Sequence, residues 1–261
     1  MIRNISLMSM LVLIITCGSS AQQPTSQPAA QTQKKNLVKF NLSGLIVQQY
    51  TMQYERVVND HQSIALTIGI APNTPLPFKQ TLVNDFGGNQ DAQRAIETTV
   101  FTKYTATLEY RFYTGGAHAP KGFYIAPFFR YMHMSLSQDY TFTPSDEKLH
   151  TAHMDSKFGA MGAGFLIGYQ FLIGQHWAID WWILGPFIGT NINADFVGTD
   201  PQMGDMSAQD LANLKRNIES VKIPGYTVTA TVTPATNTVE AKAVGPYYGA
   251  RFMGVALVYR F

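Results

Sequence analysis

Large apolar side chains recur at every second position in eight separate stretches of the chain. A repeat of two belongs to a β-strand whose two faces meet different surroundings. The last stretch, 247–261, shows it most clearly. Met253, Val255, Leu257, Tyr259 and Phe261 fall on one face; Phe252, Gly254, Ala256, Val258 and Arg260 fall on the other. Earlier stretches at 36–45, 50–58, 63–71, 102–113, 122–136, 158–173 and 177–189 repeat the pattern. In 50–58, Tyr50, Met52 and Tyr54 oppose Thr51, Gln53 and Glu55; in 102–113, Tyr104, Leu108, Tyr110 and Phe112 oppose Thr105, Thr107, Glu109 and Arg111. Pro127 and Pro186 fall inside strands and cannot donate to a ladder, so bulges are expected at both.

Connections between these strands alternate in length. Those near residues 60, 117 and 175 are short, and those beginning near 72, 137 and 190 are long. The first connection on the long-loop side, near Val47, is also short. With an even strand number, this implies an all-β fold, an eight-stranded antiparallel up-and-down transmembrane β-barrel with short periplasmic turns and long extracellular loops. The final strand, apolar on one face up to a terminal aromatic, resembles the C-terminal strand of bacterial outer-membrane barrels. In those barrels the assembly machinery reads the last aromatic; Tyr259 and Phe261 hold the corresponding positions here. Over all eight strands the chain resembles the small outer-membrane β-barrel proteins of Gram-negative bacteria, the OmpA-, OmpX- and OmpW-like barrels and related families of unknown function. The resemblance implies a place in the cell outer membrane, contact with its lipid and with the barrel-assembly machinery, and a role in envelope integrity, surface interaction or binding of small hydrophobic molecules. Aromatic girdles are expected at both boundaries. Tyr110, Phe112, Phe171, Trp177, Tyr259 and Phe261 would form the periplasmic one, and Tyr50, Tyr104, Tyr131, Phe187 and Tyr247 the outer one.

The long loop 190–246 has structure of its own. Ser207 to Asp210 is a capping-box pattern, and Leu211, Leu214, Ile218 and Val221 follow at helical spacing before Pro224. Segments 226–233 and 238–244 then alternate around a Pro234–Asn237 turn, as a hairpin does. These threonine-rich strands are expected above the membrane, a ten-stranded barrel being the alternative. The helix would cap the barrel mouth or dock a surface protein, with capping the favoured use. A further short helix is expected near 91–98.

Composition narrows the class. Charged residues make up 14% of the chain, aromatics 12%, and mean hydropathy is −0.04, as strands alternating apolar and polar would average. A net charge of +2 and the lack of a dense basic run give no nucleic-acid partner. The one long apolar run, 5–16, follows Arg3 and is too short to span a bilayer as a helix. With Ser19, Ser20 and Ala21 beyond it, residues 1–21 read as a signal peptide, 22–35 as a flexible periplasmic leader and 36–261 as the barrel. Ile14–Ile15–Thr16–Cys17 partly resembles a lipoprotein processing site. Cleavage after Ala21 is favoured and leaves no cysteine in the mature chain.

Eight strands enclose only enough space for side chains to fill. Lys39, Glu55, Glu109, Arg111, Asp180 and Arg260 should project inward in the periplasmic half, with Arg130 higher. Acids facing bases there are expected to form an ion-paired plug, a gated polar path being the alternative. Glycines 162, 164 and 168 are expected to make room for Phe128, Arg130 and Met132. The function expected is therefore a non-enzymatic structural or binding barrel at the cell surface. His133 and Ser135, two apart on one strand face, resemble the His-x-Ser arrangement of the outer-membrane lipid A deacylases, which implies a general base and a nucleophile facing lipid. Leu136 stands where that family has Asn, and no orienting acid can be placed, so a lipid-modifying enzyme is the alternative. A narrow channel or carrier for small hydrophobic molecules is a third. His150 and His153, with Asp146, Glu147 and Asp155 nearby, would chelate a metal only on a helical turn. No metal site and no cofactor are expected.

Overall fold

A computed structural model describes residues 34–86, 88, 90–114, 118–142, 149–220 and 225–261. The expected signal peptide with Cys17, most of the leader, Asp146, Glu147, Val221 and Pro224 lie outside the described residues. The strands are β1 (Asn36–Asn41), β2 (Tyr50–Asn59), β3 (Gln62–Pro75), β4 (Val100–Tyr113), β5 (Gly122–Phe142), β6 (His150–Ile173), β7 (Trp177–Thr199), β8 (Thr227–Thr233), β9 (Thr238–Val244) and β10 (Pro246–Arg260). From β1 to β7 each pairs antiparallel with the next, and β10 pairs with both β1 and β7, which closes a ring of eight strands. The β8–β9 hairpin lies outside that ring, joined to it where β9 meets Asp195–Thr199 of β7. The ten-strand alternative is not adopted. No helix among the described residues is long and apolar enough to cross a membrane.

Alternation decides which face is inside. Through 51–57 of β2, 63–71 of β3 and 105–113 of β4 the odd-numbered residues are buried, Glu55, Ala65 and Arg111 fully, while Met52, Ile68 and Leu108 are exposed at 57, 60 and 53%. The lower end carries the short turns, and there Asn36 and Phe261 exchange backbone hydrogen bonds of 3.3 and 2.9 Å. Outward aromatic rings gather at the same end: Tyr110 with Phe112, Tyr169 with Phe171, and Tyr259 with both Trp177 and Phe261.

Several elements differ from expectation, each for a physical reason. Segments 137–157 and 190–199, expected as loop, largely extend β5, β6 and β7 upward. Both faces there are polar, so no apolar alternation marks them as strand. β1, expected to reach residue 45, stops at Asn41, and Ser43–Val47 form a 3-10 turn. Asn41 Oδ1 accepts from Ser43 Oγ at 2.9 Å and from Gly44 N at 3.2 Å, giving the backbone a local alternative to the ladder. The inward set changes from even to odd numbers between Trp182 and Gly185 in β7 and between Gly254 and Arg251 in β10. Phe187 and Tyr247, expected in the outer girdle, therefore turn inward, with ring centroids 5.5 Å apart and Phe128 5.9 Å from Phe187. Phe252, expected inside, is 70% exposed. Pro127 and Pro186 pair in register without bulges; the shifts in β6–β7 fall at Gly159/Ala160 and Ile167/Gly168 instead.

The two helices before β4, α1 (Lys79–Phe86) and α2 (Gln90–Thr98), sit at the upper end, where α2 packs on β5. The third helix, α3 (Ala208–Glu219), starts where Ser207 Oγ accepts from Asp210 N at 3.1 Å. It packs on β8, and Glu219 Oε1 accepts from Ala230 N at 3.2 Å, so its support is the hairpin rather than the ring.

Candidate functional site

The interior splits at about the level of Thr67. Below it, inward positions on four strands supply charge: Lys39 on β1, Glu55 on β2, Glu109 and Arg111 on β4, and Asp180 on β7, every one at most 1% exposed. Lys39 Nζ bridges Glu55 and Asp180, the latter at 2.6 Å. Arg111 spreads its guanidinium over three acids, at 2.7 Å from Asp180, 2.6 Å from Glu109 and 3.3 Å from Glu55. Planar forked geometry suits arginine to this many partners. Three acids thus meet Lys39, Arg111 and Arg251, whose Nη1 lies 2.6 Å from Glu109 Oε1.

Neutral groups saturate what the charges leave. Ser63 Oγ and Tyr113 OH donate to Glu55 Oε1 at 2.5 and 2.7 Å, and Tyr124 OH donates to Asp180 Oδ1 at 2.8 Å. Arg111 Nη2 donates to Gln53 Oε1 at 2.9 Å, and its guanidinium lies over the Tyr124 ring, 4.4 Å from the centroid. Lys39 also donates to Gln170 Oε1 at 2.7 Å, while Gln170 Nε2 donates to Pro120 O at 2.6 Å, which ties the 118–121 turn into the lower end. A buried ion pair offsets its desolvation only when geometry is good and remaining lone pairs are satisfied. Both conditions hold here. Leu37, Val57, Leu166, Ala178 and Val258 pack round the cluster.

Two residues expected in this network stand apart from it. Arg130 lies opposite Thr107, two positions above Glu109 in register and so about 7 Å higher; its Nη1 donates to Thr107 Oγ1 at 3.2 Å, and it forms no ion pair among the described residues. Arg260 pairs with Leu37 at the lower rim, and its Nε is buried without a partner among the described residues. Alternation read alone missed several members. Gln53, Tyr113, Tyr124 and Gln170 were on the inward set but carry no charge to draw notice. Arg251 was concealed by the change of parity in β10. The small inward residues of β6 make room differently than expected. A Cβ at Gly168 would lie 2.4 Å from Tyr124 OH, and one at Gly164 would lie 2.2 Å from Pro186 O, so these glycines admit Tyr124 and the close passage of β7.

His133 and Ser135 share the outward face of β5, with Ser135 Oγ 3.4 Å from His133 Nε2 and no acid paired with the imidazole among the described residues. Two residues higher a fuller arrangement exists. Ser137 Oγ lies 3.0 Å from His153 Nε2, and His153 Nδ1 lies 2.8 Å from Asp139 Oδ1. That hydrogen bond to Asp139 holds the His153 pKa above its ordinary value. His150 instead points inward to Asp200 Oδ2 at 2.5 Å. Three apart on a strand rather than a helix, His150 and His153 face opposite ways and cannot share a metal. Among the described residues no cluster of His, Cys, Asp and Glu is placed to hold one.

No family model matches the chain, and neither a curated protein nor a solved structure is significantly similar to it.

Proposed function

We propose that this chain is an integral protein of the bacterial outer membrane, delivered by a cleaved signal peptide, with the short-turn end in the periplasm and the lumen shut by the ion-paired plug. It acts as a structural or binding barrel at the cell surface rather than an open pore. One observation carries the reading: opposite chemistry across a single wall. Leu66, Ile68, Leu108 and Phe165 lie exposed outside the ring while Lys39, Glu55, Arg111 and Asp180 are buried inside it. In water the cost of both placements would favour the reverse. With hydrocarbon outside, the apolar face is solvated and a closed ring leaves no unpaired edge in lipid. Outward rings at the lower end supply a girdle, and Tyr259 with Phe261 would serve the assembly machinery.

Electrophoresis of protein extracted from membranes tests this. The unheated sample should migrate faster than the boiled one, as a closed barrel resists detergent. Equal migration, together with a folded monomer in detergent-free buffer, would overturn the reading.

A second reading, a lipid-modifying enzyme, is favoured by the Ser137–His153–Asp139 arrangement. The serine would attack an ester carbonyl, and the imidazole would take its proton and pass it to the departing alcohol; water would then release the acyl group. These groups lie on an exposed sheet face without a cleft to exclude water, which is why the reading stands second. Lipid A mass spectra from cells carrying Ser137→Ala or Ser135→Ala decide it: spectra unchanged from wild type eliminate the enzyme.

A further inference from the structure

We propose that the upper half of the lumen is a side-entry site for a single-chain anionic amphiphile, whose carboxylate or phosphate head rests on Arg130 and Thr51 and whose hydrocarbon tail leaves the ring past Phe252 and Met253. The inference rests on the membrane reading above and adds the ligand to it.

The site begins with the early end of β1. Above Asn41 the place between β2 and β10 has no strand, because 43–47 coil into the 3-10 turn. The turn is fastened to β10 at its base, by Leu42 N to Val255 O and Val255 N to Ser43 Oγ, both 2.8 Å. Higher up, β10 pairs with β7 alone. A cavity of about 310 Å³ occupies this notch. Its lining includes inward Thr51, Thr105, Arg130 and Arg251, and also Phe252 and Met253, which face out. It therefore passes through the wall. At roughly 30 Å³ per water it holds about ten, enough for a head group and its first methylenes.

Its chemistry points to an anion. Two arginines line it and no acid does. Arg251 is engaged with Glu109, but among the described residues Arg130 has no ion pair and one side-chain hydrogen bond, to Thr107 at 3.2 Å. A cation in so confined a place is costly without a counter-charge. Thr51 is 8% exposed, and its Oγ1 is buried with no hydrogen-bond partner among the described residues. A missing side chain lets polar groups gather at this corner. A Cβ at Gly69 would come within 2.7 Å of Gln49 Nε2 and Thr105 Oγ1 and 2.9 Å of Thr51 Oγ1. Those polar atoms already crowd the position a side chain would take.

The rim explains the tail. Phe252 and Met253 are each 70% exposed on the outer side of this opening, and Ile46 of the adjoining turn is 69% exposed. The floor is closed: Gln53 Nε2 donates to Thr67 Oγ1 at 2.6 Å, and the ion-paired cluster lies beneath. A bare anion would need no apolar rim, and a neutral lipid would leave Arg130 unanswered. A molecule with both parts satisfies both.

The test uses the full chain folded in nonionic detergent, titrated with the fluorescent fatty acid dansyl undecanoate and competed with oleate, oleyl alcohol or inorganic phosphate. Oleate should displace the probe, with oleyl alcohol and phosphate each at least about tenfold weaker. Arg130→Gln should weaken probe binding about tenfold or more, and Thr51→Val should weaken it by a smaller factor; Gly69→Leu should fill the corner and abolish binding. Heat-modifiable migration, read on every sample, separates the possible failures. Wild type that shifts on heating yet does not bind the probe overturns the inference alone. So does shifting Arg130→Gln that binds normally, oleyl alcohol matching oleate, or phosphate matching oleate, the last of these marking a site for a free anion. Wild type without the shift overturns the membrane reading, and the site with it.

Discussion

The lower and upper halves of the ring are built from the same alternating strands yet end in opposite states. Below Thr67, acids and bases meet at one height, each oxygen of the three acids finds a donor, and the space is full. Above it, among the described residues, Arg130 forms no ion pair and Thr51 Oγ1 no hydrogen bond, and a cavity breaches the wall. Alternation is common to both, so it cannot be what distinguishes them. The difference lies in the heights at which charges fall on neighbouring strands, and in β1 reaching only the lower half.

Substitutions that trade one half's character for the other's should differ in size. Arg111→Leu removes the cation shared by Glu55, Glu109 and Asp180, and should cost about 3–5 kcal/mol, read from the urea midpoint of the folded gel band. Gly164→Val drives a side chain into Pro186 O and should cost about 1–3 kcal/mol by the same measurement. A pair of hydroxyl deletions sharpens the contrast. Ser63→Ala breaks a 2.5 Å hydrogen bond to a buried carboxylate and should cost about 1.5 kcal/mol, whereas Thr51→Val, with no bond to break, should stay within about 0.5 kcal/mol of wild type. In planar bilayers the packed lower half should give no steady conductance.

The smallest effect lies above the ring. Because Asp139 raises the folded-state pKa of His153, their interaction stabilises the β5–β6 extension fully below the ordinary imidazole value of 6.5 and fades as pH rises through the folded value. The pair is exposed, so the contribution is slight. NMR titration of the imidazole should give a midpoint above 6.5 that falls toward the ordinary value in Asp139→Asn.

How legible this was in the sequence depended on contrast between faces. Residues 50–58, 63–71 and 102–113 alternate apolar with polar, and their strands and inward sets follow directly. Lys39, Glu55, Glu109, Arg111 and Asp180 stood out because charge on an inward set is conspicuous. Tyr124 and Gln170 did not, since a tyrosine or glutamine at such a position is chemically ambiguous until its partner is known. Above residue 136 in β5 and 189 in β7 both faces are polar, and strand resembles loop. Period two also cannot reveal where parity changes, as the inward turn of Phe187, Tyr247 and Arg251 shows. Nor could it reveal that Asn41 ends β1, because the competing hydrogen bonds are local while Leu42 and Leu45 keep an apolar pattern.

Everything rests on hydrocarbon meeting one face of each strand and a packed lumen the other. Spin labels placed singly along 104–112 of β4, in protein reconstituted into lipid vesicles, test this directly by their collision rates with oxygen and with a water-soluble nickel chelate. Labels at Tyr104, Leu108 and Phe112 should favour oxygen, and those at Thr105, Thr107 and Glu109 should be shielded from both reagents, giving a period of two. Uniform exposure to the nickel chelate at the even-numbered sites would contradict the account.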